Sequence, residues 1–281
     1  MGKFSGCLLA SDADGTLFGG DGVIHKRTID GIKRFVAEGG LFVVASGRTA
    51  DAVRVFKDNL AINAPCALAN GSQLYDFETE NIVWQRSLSP DELAAAESVF
   101  RSGKFKNSGT ELHSGKKVYV FSPTPESTEL EIREGLDTVI CANSEIGTVK
   151  DVFKALITMH TEEEFDGMER FIKENAKCEL NIAHSSSKFG DVDYHYLEVL
   201  PLGVNKSVAL EELCRIKKIE RKNVFAIGDY YNDLEMLQFA GIRAVPAASP
   251  EDIKNMADYV VCDCTLGAVG NFIELLEEKY E

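Results

Sequence analysis

In the stretch "LLASDADGTLF", residues 8–18, Asp12 and Asp14 stand one residue apart at the end of an apolar run, followed at once by Gly15 and Thr16. On an extended chain residues i and i+2 face the same side, so these two carboxylates can converge on one point. Carboxylates that close repel each other unless a cation lies beside them. An Asx turn ahead of Gly15 is the plainer account. A calcium loop fits less well, because the glycine comes too early and the later bidentate glutamate is missing.

A second acidic cluster follows another apolar run. "AIGDYYNDLEML", residues 226–237, carries Asp229, then Asn232 and Asp233 where a helical pattern opens. Asp233 alone would simply suit the start of a helix. Hard oxygen ligands offered from two strand ends are, however, what a Mg²⁺ site requires, and few suffice because the ion keeps waters and takes a phosphate oxygen. In "PLGVNKSVAL" Lys206 follows Asn205 at the start of a helix. A cation there opposes the helix dipole, and its placement makes sense if it points at an anion. "VVASGRT" ends a further apolar run with Ser46, Gly47 and Arg48, a hydroxyl and flexible backbone suited to a phosphate oxygen. Taken singly, Ser46 reads as an ordinary helix N-cap.

The elements that must position these residues read as strand then helix, repeated. "CLLASD", "LFVVAS", "CALANG", "NVFAIGD" and "IRAVPA" are short, mostly continuous apolar runs, which predicts strands buried on both faces. Helical spacing recurs at Ile29, Ile32, Phe35 and Val36, at Val208, Leu210, Leu213 and Ile216, and at Phe272, Leu275 and Leu276. The alternation implies an α/β fold, a doubly wound parallel sheet with helices on both faces. Ligands in such sheets sit beyond the carboxyl ends of the strands, where the acidic residues fall.

The middle of the chain differs. Helices are expected over 90–101 and 161–175, and strands at "KVYVFS", "VFKALITMH", "CELNIAH" and "YHYLEVL". Alternation in the last two suits a smaller α+β domain. The expected division is a core of residues 1–81 and 200–281 interrupted by an inserted unit over 82–199.

Thirty Lys and Arg against 45 Asp and Glu give a formal net charge of −15, which argues against nucleic acid and acidic membrane surfaces as partners. The seven cysteines are odd in number and mostly lie in apolar segments, so buried free thiols are expected. Cys262 and Cys264 lack the second pair or nearby histidine that a zinc site needs, and read as packing residues. No apolar run suits a signal peptide or a membrane span, so a cytoplasmic location is expected. Oligomeric state leaves no mark in the sequence.

"DADGTL" at 12–17, the strand-end Ser46, Lys206 in "GVNKSVAL" and "GDYYNDLEML" at 228–237, in that order, resemble the haloacid dehalogenase-like superfamily of phosphatases and most closely its Cof-type branch. "ANGSQLYD" at 69–76 and "ADYVV" at 257–261 are secondary echoes. "VPAASPEDIK" at 245–254 departs from the Gly-Asn-Ala stretch that this branch often carries there. The resemblance implies a Rossmann-like core with an α/β cap between the second and third motifs. It implies that Asp12 attacks phosphorus to form an aspartyl-phosphate, and that Asp14 moves protons to the leaving group and from water. Asp12, Asp14 through its backbone carbonyl, and Asp229 look like the Mg²⁺ ligands, with Asn232 and Asp233 assisting directly or at one remove. Ser46, Gly47, Arg48, Lys206 and Asn232 look like the phosphate-binding set, with Ser46 and Lys206 also stabilising the transition state. The expected function is Mg²⁺-dependent hydrolysis of a small phosphorylated metabolite, such as a sugar phosphate or phosphorylated cofactor. A phosphomutase and a non-catalytic phosphometabolite-binding protein are the alternatives. His113, His184 and Lys188 are candidate contacts in the inserted unit, each more readily explained as a solvated loop residue.

Overall fold

The computed structural model of the chain describes residues 2–105, 108–125, 128, 132, 135–159, 161–189 and 192–280. By its internal contacts the chain divides into two units. The first comprises Met1–Thr49, Phe56–Trp84 and Asn205–Glu281, and the second Ala50–Val55 and Gln85–Val204.

The first unit is built on strand β1 (Leu8–Ser11), whose four residues are all buried, as continuous apolar runs in a parallel sheet should be. It pairs in parallel with β2 (Leu41–Val44) on one side and with β12 (Val224–Ile227) on the other, Leu8 facing both Leu41 and Val224. Strands β13 (Ile242–Pro246) and β14 (Tyr259–Val261) extend the sheet in the order β14-β13-β12-β1-β2. Helices α1 (Lys26–Ala37), α5 (Lys206–Lys217), α6 (Leu234–Phe239), α7 (Glu251–Lys254) and α8 (Ala268–Lys279) alternate with these strands. The run "CALANG" departs from expectation. Only Cys66–Leu68 is extended, as β3, and it joins β4 (Gln73–Asp76) and β5 (Asn81–Gln85) in a separate three-stranded sheet, antiparallel to β4. A single parallel bridge, Ala45 to Ala67, ties it to the end of β2. The strand ends at Leu68 because Ala69 and Asn70 turn to positive φ.

The second unit carries a six-stranded sheet, β10-β11-β9-β6-β7-β8, formed by β6 (Gly109–Ser114), β7 (Lys117–Phe121), β8 (Thr138–Ile140), β9 (Val152–Met159), β10 (Asn181–Phe189) and β11 (Val192–Leu200). Helix α2 (Ala50–Lys57) contributes its first six residues to this unit. Helices α3 (Pro90–Ser102) and α4 (Glu162–Asn175) each begin with a capping box, Ser89 with Glu92 and Thr161 with Glu164, which satisfies backbone N–H groups of the first turn. Ala95, Ala96 and Val99 of α3 and Phe165, Met168 and Ile172 of α4 share one apolar core with Leu112, Ala155, Ile157, Leu197 and Val199 of the sheet. The alternate residues point to the opposite face. There, in register across β6, β9 and β11, lie Glu111, Leu156 and Glu198, with His113 beside Lys154 and Thr158 beside Tyr196. All seven are at most 5 % exposed.

His113 is therefore no solvated loop residue: it is buried within β6. His184 is exposed on β10 and stacks on Phe165. The side chain of Lys188 lies outside the described residues. All seven cysteines are free thiols, with Cys7, Cys66, Cys214 and Cys264 buried and Cys141, Cys178 and Cys262 half-buried. Cys262 does more than pack, since its sulfur accepts from the Arg27 guanidinium at 3.4 Å. Among the described residues no helix is long and apolar enough to cross a membrane.

Candidate active site

The parallel sheet changes direction at β1: the chain passes from β1 to β2 on one side and later returns on the other as β12. A crevice opens beyond the strand ends at such a switch point. Asp12 follows β1 directly, its N–H donating to the Ile227 carbonyl of β12 at 2.9 Å. Asp229 follows β12 after one glycine, and Asp233 closes the short turn that leads into α6. Their carboxylate oxygens lie within 4.8 Å of one another.

Lys206 ties this group together. The Asn205 side chain caps α5 by accepting from the N–H groups of Ser207 at 3.0 Å and Val208 at 3.2 Å, which places Lys206 on the first turn. Its Nζ donates to Asp12 Oδ1 and to Asp233 Oδ1, each at 2.6 Å, and its side chain is 1 % exposed. The other oxygen of Asp233 accepts from the backbone N–H groups of Asp229 and Tyr230. Thr16 Oγ1 donates to Asp229 Oδ1 at 3.1 Å. Gly15 sits at φ +83°, and a Cβ there would stand 2.3 Å from Asp229 Oδ2, so only glycine lets the first acidic loop pass so close to the second.

Three carboxylates against one ammonium leave a formal surplus of two negative charges in a largely buried site. Burial, with Asp233 and Asp229 adding to it, holds Asp12 well above the usual carboxylate range despite Lys206. Burial and Asp233 push Asp229 up to about 6. Burial also works against the charge on Lys206, but Asp12 and Asp233 outweigh it and keep the ammonium above the ordinary lysine value. The donor set is all oxygen, the class that suits a hard divalent cation, and such an ion would neutralise the surplus.

Asp14 is set apart. Its carboxylate is 59 % exposed, lies outside the three-carboxylate group, and is held by Arg48, whose Nε and Nη2 donate to its two oxygens at 2.8 Å each. A metal contact from this residue would thus have to come from its backbone carbonyl. Ser46 is buried at the end of β2, its Oγ accepting from the Arg48 N–H at 3.2 Å. Gly47 follows, packed against the Asn70 side chain, and Asn232 is exposed in the turn between Asp229 and Asp233.

Two contributors escaped the sequence reading. Thr16 belongs to "DADGTL", but a threonine after a glycine carries no signal of a partner 213 residues away. The turn at Asn70–Gly71 braces the start of α5: a Cβ on Gly71, at φ +90°, would stand 2.0 Å from the Asn205 carbonyl oxygen. The echo "ANGS" marks that turn without saying what it supports.

Comparison with known proteins identifies a family. The family model for haloacid dehalogenase-like hydrolase matches residues 9–273. Over 298 aligned positions the chain is 29 % identical to the 5-amino-6-(5-phospho-D-ribitylamino)uracil phosphatase YwtE of Bacillus subtilis, covering 97 % of this chain and 99 % of that protein. It is 22 % identical to the pyridoxal phosphate phosphatase YbhA of Escherichia coli, covering 95 % and 97 %. The fold matches the crystal structure of a haloacid dehalogenase-like hydrolase from Bacteroides thetaiotaomicron with a TM-score of 0.80 at 22 % identity, over 96 % of this chain and 99 % of that one. With the match spanning both acidic strand ends, Ser46 and Lys206, the chain belongs to the haloacid dehalogenase-like hydrolases, in their Cof-type phosphatase branch.

Proposed function

We propose that this protein hydrolyses the phosphate monoester of a small metabolite, with Mg²⁺ as its cation and Asp12 as the residue that carries the phosphoryl group in transit. The observation that bears most weight is the junction of Asp12 and Asp233 on Lys206 with the Asp229 carboxylate beside them, and Asp14 separate though close in sequence.

In this reading Asp12, Asp229 and Asp233, with the backbone carbonyl of Asp14, hold the cation. When bound, Mg²⁺ supplies charge neutralisation between the carboxylates and an incoming phosphate. An oxygen of Asp12 forms a bond to phosphorus while the bond to the leaving oxygen breaks, and the Asp14 carboxyl gives that oxygen its proton. Asp14 then takes a proton from the water that attacks phosphorus and frees Asp12. Its place outside the carboxylate group keeps proton transfer apart from charge neutralisation. Ser46, the backbone at Gly47 and Lys206 provide donors for the phosphoryl oxygens, where fixed donors stabilise charge in the transition state. Arg48 and Asn232 are the remaining phosphate contacts, and Arg48 also holds Asp14.

The relatives suggest which esters to try first, a phosphoribityl compound and pyridoxal phosphate. Phosphate release from these and from sugar phosphates, with and without Mg²⁺, tests the reading against Asp12→Asn. Release that needs the metal and vanishes in the variant is expected. Full release in the presence of a chelator would overturn it.

A further inference from the structure

Tyr230 and Tyr231 fill the two positions between Asp229 and Asn232, and the proposed reaction gives them no task. Among the described phenylalanine, tyrosine and tryptophan side chains they are the only two that are exposed, at 55 % and 47 %. Aromatic rings normally carry the energy of cores and interfaces, so two neighbouring ones left in water call for an explanation. The turn itself does not need them. It is shaped by backbone and carboxylate, the N–H groups of Asp229 and Tyr230 donating to Asp233 Oδ2 at 3.0 and 3.2 Å.

Those bonds also fix where the rings start. Asp233 gives its other oxygen to Lys206 Nζ at 2.6 Å, and Tyr230 follows Asp229 directly, about 3.8 Å along the chain. Both tyrosines thus spring from the loop that carries two of the three clustered carboxylates. Their rings meet edge to face, with centroids 4.9 Å apart and planes at 72°. Tyr231 is anchored, its hydroxyl donating to Asp252 Oδ1 at 3.3 Å. With that hydroxyl engaged, the pair offers ring surface more than hydrogen bonds. A further ring would join it in an offset-stacked or edge-to-face contact, with centroids about 4.5–7 Å apart. Phosphorus has to arrive at Asp12, whose carboxylate lies within 4.8 Å of those of Asp229 and Asp233. A ring one carbon beyond the ester oxygen then comes within reach of a tyrosine side chain on this loop.

We propose that Tyr230, braced by Tyr231, stacks on an aromatic ring in the alcohol part of the phosphate ester. The contact presupposes the phosphatase reading, and it makes esters with an aromatic ring close to the phosphate the preferred class.

Tyr230 is exposed, so replacing it should leave folding intact. Tyr230→Leu removes the ring and Tyr230→Phe keeps it. Phenethylphosphonate and cyclohexylethylphosphonate are uncleavable mimics of benzyl phosphate and cyclohexylmethyl phosphate, alike in size and different in aromaticity. The first arm titrates each phosphonate calorimetrically, with Mg²⁺, into wild type and both variants. Wild type and Tyr230→Phe are expected to bind the phenethyl compound about two- to tenfold more tightly than the cyclohexyl one, the worth of one aromatic pair, and Tyr230→Leu to bind the two alike. Equal affinities in wild type, no binding of either compound, or a preference that survives in Tyr230→Leu would overturn the contact. The second arm measures turnover of the two esters. The ratio of their kcat/KM values should fall by the same factor in Tyr230→Leu, with the loss in KM, and be kept in Tyr230→Phe. An unchanged ratio with both esters hydrolysed would overturn the contact and leave the phosphatase reading intact. A wild type that releases phosphate from neither ester would instead defeat that reading, and the titrations would decide the contact alone.

Discussion

Arg48 holds Asp14 at two points, with Nε and Nη2 each 2.8 Å from a different oxygen of the same carboxylate. A planar fork matched to a carboxylate fixes orientation in a way that a lysine ammonium does not. Arg48→Lys is therefore expected to lower kcat about tenfold, because the charge survives while the orientation of Asp14 is lost. Steady-state kinetics decides it: a variant with wild-type kcat and only a raised KM would assign Arg48 to phosphate binding alone.

Asp12 and Asp14 should fail in different ways. Asp12→Asn is expected to form no phosphoenzyme with any ester. Asp14→Asn should still be phosphorylated by an ester with a good leaving group, yet release phosphate about 10²–10⁴-fold more slowly, the usual worth of a proton shuttle. Rapid-quench trapping of the labelled protein distinguishes the two, and equal labelling of both variants would refute the assignment of the nucleophile.

Removing the ammonium at the centre of the site should be costly. Lys206→Met leaves Asp12 and Asp233 buried without their cation, a change that typically destabilises by about 3–5 kcal/mol. Urea unfolding without divalent ions measures this. Added Mg²⁺ binds only the folded site and should raise the midpoint of the variant more than that of wild type. Unaltered stability in the variant would mean that the pairing carries no weight.

The second unit contributes an unusual pH dependence. Glu111 titrates near 7 in the fold against an ordinary 4.5, so its contribution is full below pH 4.5 and lost as the pH rises towards 7. His113 titrates near 3 against an ordinary 6.5, so its contribution is present above pH 6.5 and lost as the pH falls towards 3. Between 4.5 and 6.5 the folded and unfolded forms bind the same number of protons at this pair, and its effect on stability is flat. Lys154 and Glu198, 3.3 Å apart, are the charged groups that face the pair from β9 and β11. In chemical denaturation across pH the stability of wild type relative to Glu111→Gln should decline steadily from pH 4.5 to 6.5, because the raised Asp12 and Asp229 act alike in both proteins and cancel in the comparison. A difference that stays constant over that range would contradict the shift assigned to Glu111.

Much of the first unit can be read from the chain because its physics is local. Runs such as "CLLASD" and "NVFAIGD" are apolar on both faces of the strand, and the residues that follow them are those that meet at the strand ends. The second unit resists such reading where burial and polarity part company. Strand β6 is "GTELHS", a sequence that reads as exposed, yet Glu111 and His113 lie inside. Hydrophobic pattern treats a charge as a mark of solvent, and the residues that stand beside these two, Leu156 and Lys154 of β9, come from much further along the chain. The same limit explains "CALANG", whose composition suits a strand while two positive-φ residues end it early. For Asp14, spacing places the side chain near Asp12 but cannot foresee that Arg48 draws it aside.

The central strand of the first unit has one further consequence, in time. Strand β1 is made first and finds one neighbour, β2, soon after, but its other edge waits for β12, whose first residue pairs with Leu8 from the far end of the chain. At ribosomal speed that interval lasts roughly 10–40 s, while an apolar strand edge stands open on the nascent protein. All of the second unit emerges within that interval. A chaperone that shields β1 during synthesis, or a slower passage through the codons after Val204, would decide how much of this enzyme reaches its folded form.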